Sequence, residues 1–170
     1  MVAHPDDCII FASGFINQYK DFNWTICYLT YKDGDPRAVE ISNFWSKRNI
    51  ATKFLGYTDN YKDLEEGVIT HFDTVAATES IKKVIKDYDL VVTHHHNGDY
   101  GHVHHKFVCE VVCANHTHVV TFAQAHNSNV KYTLDLNFGS LDEIPLHRDV
   151  VSGFGLEKYY CVSERVKKIL

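Results

Sequence analysis

The chain has few of the features that mark a specialised environment. No apolar run approaches the ~20 residues that a membrane-crossing helix needs. The first residues show no basic segment leading into an apolar stretch and a small-residue cleavage site, so secretion finds no support. The expectation is a cytoplasmic protein with no integral membrane segment. Basic residues are few and scattered. Seventeen Lys and Arg stand against 22 Asp and Glu, a formal charge of −5, and the longest basic runs are the pairs Lys47-Arg48, Lys82-Lys83 and Lys167-Lys168. Binding to phosphate backbones needs a concentrated basic face, which argues against nucleic acid as a partner. The cysteines Cys8, Cys27, Cys109, Cys113 and Cys161 are odd in number and sit mostly in apolar segments. Reduced, buried thiols fit that pattern better than a disulfide framework. Cys109 and Cys113 have the i, i+4 spacing of a zinc-binding pair, but no second pair completes a four-ligand site. Repeats, low-complexity tracts and linkers are absent.

What is present is a globular composition, 45% apolar and 13% aromatic over 170 residues. That is enough for one domain spanning 1–170 with a single sizeable core. Strand-like and helix-like stretches alternate. Residues 24–30 read as a strand, bounded by the polar turn 32–36. The apolar spacing of Phe44, Trp45, Ile50, Phe54 and Leu55 predicts a helix over 42–55, with Gly56 as its stop. Residues 73–87 predict an amphipathic helix with Val75, Ile81, Val84 and Ile85 inward. Residues 89–93 form a short apolar strand of the kind buried on both faces of a parallel sheet. A helix over 106–115 and a strand over 118–122 follow. Beyond Asn127, strands over 132–136 and 159–162 and a helix over 163–170 are expected without a topological place. Such alternation predicts an α/β fold, a Rossmann-like open, mostly parallel sheet with helices on both faces. Its ligand site belongs at the carboxyl ends of the strands.

Twelve histidines are the compositional oddity, and six of them fall between His94 and His105. Two clusters occupy positions where strand-end loops are expected. In Ala3-His4-Pro5-Asp6-Asp7, a tight turn can aim His4 and Asp7 at one metal ion, leaving Asp6 free as a base. Adjacent carboxylates are costly unless something positive compensates them, as a metal would. The plainer reading is that Asp6 and Asp7 cap a helix beginning near Cys8. In the second cluster, from Thr93 to His105, Gly98 and Gly101 permit a tight loop, and His102 and His105 stand i, i+3 at a helix start. The plainer reading there is a solvated loop. Together the clusters supply two His and one Asp with a position left for water, the ligand set of a catalytic rather than a structural zinc site.

The Ala-His-Pro-Asp-Asp start and the Gly-Asp-Tyr-Gly-His-x-x-His segment after a short apolar strand resemble the PIG-L/LmbE-like zinc N-deacetylases. The likeness covers roughly residues 1–122. It implies Zn²⁺ on His4, Asp7 and His105, Asp6 as general base, and His102 and Tyr100 assisting at the carbonyl. It also puts Arg48, with Asp33 or Asp35, near the substrate's hydroxyls. The implied substrate is a small N-acetylated sugar or glycoconjugate of the N-acetylglucosamine type. The chain departs from the family pattern in three places. Only Met1-Val2-Ala3 precede the first motif, Cys8 stands where an acidic residue is common, and the second motif reads His102-Val-His104-His105, which makes His104 a rival ligand. Deacylation of another small amide, a zinc-binding module without catalysis, and an interaction protein on a decayed enzyme fold are the competing readings. Assembly into a homo-oligomer is left open. The run His94 to His96 is expected to shape the pocket wall, and His126 is a lesser candidate, on position alone, to line it. His71, His116, His118 and His147 are expected at the surface or core edge.

Overall fold

A computed structural model describes residues 1–123, 130–133, 141–153, 157–162 and 166–170. Four parallel strands carry the architecture: β1 (Thr25–Thr30), β2 (Ala51–Tyr57), β3 (Val91–Thr93) and β4 (Val119–Ala123). β1 pairs with β2 and β3 pairs with β4, both in parallel. Two antiparallel strands, β5 (Val130–Thr133) and β6 (Glu157–Val162), extend the β4 edge in the order β3-β4-β6-β5. Residues 1–3 lie between β1 and β3. Val2 donates to the Cys27 carbonyl and accepts from Leu29, both at 2.9 Å, and the nitrogen of Met1 reaches the Val92 carbonyl at 2.7 Å. Three residues thus stitch two ladders together, and the mostly parallel α/β arrangement expected from the alternation is what forms.

The two faces of the sheet carry separate apolar clusters. Ile26 and Tyr28 of β1 point to one face, where they meet Phe15 and Ile16 of α1 (Ser13–Gln18) and Ile41 and Trp45 of α2 (Pro36–Ser46). Leu29 points to the other face, among Ala77, Ile81 and Ile85 of α4 (Thr74–Ile85) and Val108 and Val112 of α5 (Val103–Asn115). This is the period-two alternation of a strand covered on both sides. Each fully buried Ile or Leu contributes on the order of 2 kcal/mol to holding a helix on its face.

The helix expected over 42–55 is corrected. α2 runs from Pro36, which sits in its first turn, and ends at Ser46. Asn49 then takes a left-handed φ of 57°, which breaks the helix. Residues 51–57 are strand β2, and Gly56 lies within it at φ 81° rather than stopping a helix. The apolar spacing misled because Phe54 and Leu55 pack from a strand. The helix over 73–87 forms as α4, with the Asp73 carboxylate accepting from Val75 N at 2.8 Å and Ala76 N at 3.1 Å. Val75, expected inward, is 72% exposed because it lies in the capped first turn. α5 starts three residues earlier than expected, at Val103. A short helix α3 (Tyr61–Glu66) went unread. Of the expected C-terminal helix, the described residues hold a 3₁₀ turn at Val166–Lys168. A further short helix, α6 (Arg148–Ser152), packs Val151 into the first cluster.

Candidate metal centre and active site

The loops that leave Ala3, β1, β2 and β3 all emerge at the carboxyl ends of their strands, and they converge. His4 follows directly on the seam. The Ala3 carbonyl accepts from Thr30 N at 3.0 Å and from Thr30 Oγ1 at 2.8 Å. The Asp7 carboxylate accepts from the His4 backbone N–H at 2.6 Å. This closes the turn that Pro5 shapes and puts both side chains on the same side. Cys8–Ala12 then forms a π-helical turn, a variation frequent at functional sites.

The second loop is shaped by Gly98 at φ 78°, Asp99 at φ 64° and Gly101 at φ 103°. A Cβ on Gly98 would come within 2.5 Å of the His102 carbonyl oxygen, so the loop closes only around glycine. Inside it, Asp99 accepts from His94 Nδ1 at 2.6 Å and from His105 Nδ1 at 2.9 Å. With its Nδ1 proton engaged, His105 presents a bare Nε2. That tautomer is assigned from the carboxylate partner, the arrangement in which a histidine is held for a metal.

His4 Nδ1 lies 3.1 Å from His105 Nε2, and the Asp7 carboxylate stands 3.3 Å from each of those nitrogens. Two ligands about 2.1 Å from a tetrahedral ion are separated by about 3.4 Å. The two nitrogens are thus near the spacing of two ligands on one ion, each has a different Asp7 oxygen beside it (Oδ2 for His4, Oδ1 for His105), and this donor chemistry fits zinc. Burial opposes the charge on Asp7, but His105, His94 and His4 outweigh it and hold the carboxyl well below its ordinary range. Asp6 shows the opposite shift. Burial and repulsion by Asp7 raise its pKa, and Arg37 only partly offsets them, with Nη2 at 3.3 Å.

His102 stacks on His105 with ring centroids 4.7 Å apart and lies 4.6 Å from the His4 ring. Its Nδ1 accepts from His104 N at 3.1 Å, so the imidazole caps α5 and its Nε2 carries the proton. Burial, then the neighbouring His4, His105 and His104, lower its pKa to about 2, which keeps it a neutral donor. Tyr100 stands at the rim, 53% exposed, with its ring 5.3 Å from that of His105.

Asp33 and Asp35 lie in the turn before α2, where Asp35 accepts from Lys32 N at 2.8 Å. Arg48 lies beyond the other end of that helix. It pairs with Glu143 at 2.9 Å and stacks on Phe44 at 3.7 Å. An 11-residue helix is about 16 Å long, so these members of the expected hydroxyl-binding group are far apart. A cavity of about 550 Å³ opens at the opposite ends of β1 and β3, and none of the clustered His or Asp residues lines it.

Residues 1–116 match the family model described as GlcNAc-PI de-N-acetylase (PIG-L). The chain belongs to this family. A 128-residue stretch is 25% identical to uncharacterized protein L374 of Acanthamoeba polyphaga mimivirus, covering 66% of this chain and 54% of that protein. The chain thus spans about half the length of that relative. Among solved structures, the 4-carboxy-2-hydroxymuconate hydratase GalB of Pseudomonas putida KT2440 shares the fold at TM-score 0.61 and 10% identity, over 94% of this chain and 93% of that one. The A40926 pseudoaglycone deacetylase Dbv21 shares it at TM-score 0.58 and 12% identity, over 95% and 94%. A deacetylase of teicoplanin biosynthesis does so at 0.55 and 14%, over 96% and 97%.

In this PIG-L-family chain, Arg37 had no reading from sequence, and His147 and His94 had readings that did not anticipate their contacts. Arg37 donates to Asp6, to Tyr31 Oη at 2.8 Å and to His147 Nε2 at 3.0 Å. His147, expected at the surface or core edge, is fully buried and donates from Nδ1 to Glu40 at 2.6 Å. His94 is also fully buried and accepts from Ala3 N at 2.9 Å. A cation in the first turn of a helix works against its dipole, and that was the available signal for Arg37. His126 lies outside the described residues. Among the described residues, no helix is long and apolar enough to cross a membrane.

Proposed function

We propose that the chain is a zinc-dependent deacetylase that hydrolyses the N-acetyl group of an N-acetylglucosamine-type sugar or its conjugate, acting in the cytoplasm. The convergence of His4 Nδ1, His105 Nε2 and the Asp7 carboxylate carries this reading: the two nitrogens are 3.1 Å apart, with Asp7 Oδ2 3.3 Å from the first and Asp7 Oδ1 3.3 Å from the second. Beside them stands a carboxylate, Asp6, outside that cluster. In this reading His4, Asp7 and His105 would hold the ion. Bound zinc lowers the pKa of a water to about 7 and polarises a carbonyl oxygen.

The remaining work falls to the chain's own residues. Asp6 accepts the proton of the attacking water and returns it to the leaving amine, and a carboxylate of raised pKa suits both transfers. Arg37 fixes the orientation of Asp6 and favours its ionised form against burial and Asp7. His102, neutral and with a free Nε2–H, donates to the oxyanion as it develops, and Tyr100 donates from the rim. Loss of one such donor typically lowers the rate ~10²–10³-fold. Asp33 and Asp35 meet sugar hydroxyls at the head of α2. Arg37 is the arginine at that end of the helix, and Arg48 is assigned no contact with the reacting group.

The test is acetate release from a panel of N-acetylglucosamine glycosides and N-acetyl amino acids, with metal content measured on the same samples. Zinc-loaded protein should release acetate from the sugars. Asp6→Asn should keep its zinc while turnover falls by ~10²–10⁴. An Asp6→Asn protein working at the wild-type rate would remove the base assignment. Zinc-loaded protein that releases no acetate would sink the deacetylase reading in favour of a binding module or a hydratase, whose product contains no acetate.

A further inference from the structure

His4 has a second side. Its Nδ1 faces His105, while its Nε2 lies 3.1 Å from His104 Nδ1 and 3.5 Å from Asp59 Oδ1. The donor atoms of His4, Asp59 and His104 all lie within 4.8 Å of one another. We propose that they form a second divalent-cation site, of zinc-type chemistry, which shares His4 with the site described above; filling both sites releases the ring's N–H proton to solvent and leaves His4 as a bridging imidazolate.

Both new ligands are held in place by groups behind them. His104 is fully buried, and its Nε2 donates to Asp63 Oδ2 at 3.0 Å. This fixes the tautomer and leaves Nδ1 bare, facing His4. Asp63 is fully buried too. Its other oxygen accepts from Thr70 N and Thr70 Oγ1, both at 3.0 Å, and from His71 Nδ1 at 2.6 Å. A carboxylate that orients a histidine from behind is the usual support of a metal ligand. Asp59 is fixed in the same way. Its Oδ2 accepts from Tyr31 Oη at 3.0 Å, and Arg37 lies 3.9 Å from it, so Oδ1 is left turned toward His4. The Asp59 side chain is 22% exposed, which gives an ion and its waters a route in.

The donors are two imidazole nitrogens and one carboxylate oxygen, the set that suits zinc and other borderline divalent ions over calcium or magnesium. The distances of 3.1 and 3.5 Å from His4 Nε2 bracket the ~3.4 Å edge of a tetrahedral site. His4 thus lies between two bare nitrogens, His105 Nε2 and His104 Nδ1, each backed by its own buried carboxylate. This proposal rests on the earlier reading only through the shared His4, since His104 and Asp59 have no part in that site.

The whole chain is titrated with Zn²⁺ by calorimetry, with metal counted after gel filtration. The wild type should take two equivalents. His104→Ala and Asp59→Asn should each take one, Asp7→Ala should take one, and His4→Ala none. Asp63→Asn should weaken the second equivalent by ~10–100-fold and leave the first unchanged. Because Asp63→Asn keeps both ligands, it tests the site even if His104→Ala fails to fold. A wild type with one equivalent, lost in Asp7→Ala and kept in His104→Ala, overturns this proposal and leaves the first site standing. One equivalent lost in His104→Ala and kept in Asp7→Ala supports this site and overturns the first. A second equivalent indifferent to His104 and Asp59 lies elsewhere on the chain and overturns the proposal.

Discussion

The two sides of the His4 ring are built on one plan from differently placed parts. On the Nδ1 side, Asp99 accepts from two imidazoles, His94 and His105, and its sequence distance to them is five and six residues. On the Nε2 side, Asp63 accepts from His71 and His104, eight and 41 residues away. Both carboxylates are held far below their ordinary range. Burial alone would raise them; the charge of His94 and then the hydrogen bonds from His105 and His94 reverse that for Asp99, and hydrogen bonds from His71, His104 and Thr70 do so for Asp63. A loop folded on itself supplies the first arrangement. The second requires α3, the residues after it and α5 to meet, so it depends on the tertiary fold. Local closure is what makes one side readable as a motif.

The sharpest break in the comparison is His4→Ala. It removes the imidazole common to both proposed sites, so metal analysis should find no tightly held zinc. Next comes Gly98→Ala, which sets a Cβ against the His102 backbone at a left-handed φ. It should cost about 2–4 kcal/mol in denaturant unfolding and weaken zinc at the Asp7 side more than at the Asp59 side. Asp99→Asn and Asp63→Asn form a matched pair. Each should reduce zinc affinity by ~10–100-fold on its own side, and a variant that weakened both sides equally would dissolve the distinction. The smallest effect is expected of Arg48→Ala. Its partly exposed pair with Glu143 is worth about 1 kcal/mol or less, and zinc stoichiometry should not change.

The sequence made the fold legible where period and length agreed. β1, α4, β3 and β4 could be placed because their apolar runs are short and continuous or helically spaced. The region from Ser46 to Tyr57 misled, because an αL turn at Asn49 splits a stretch whose spacing matches one helical face. The loop proposed to carry ligands could be read because its parts are neighbours in the chain. Arg37 was missed because its role comes from the start of α2 facing the His4 loop, a contact between residues 31 apart. Asp59 and Asp63 were missed for the same reason, since nothing local distinguishes them from solvated acids. His147 reaches Arg37 across 110 residues, beyond any pattern of spacing.

The seam at residues 1–3 has a consequence for cohesion. Val2 and Met1 bind the ladders of β1 and β3, and His4 continues straight from them toward the carboxyl-end loops. In the proposed site, an ion on His4, Asp7 and His105 would tie the far end of that seam to the β3 loop, so occupancy and the grip between the two ladders would belong to one equilibrium. Chelation should then loosen the middle of the sheet before its rims. Amide exchange at Leu29 and Thr30, which donate to Val2 and Ala3, should quicken first as zinc is withdrawn.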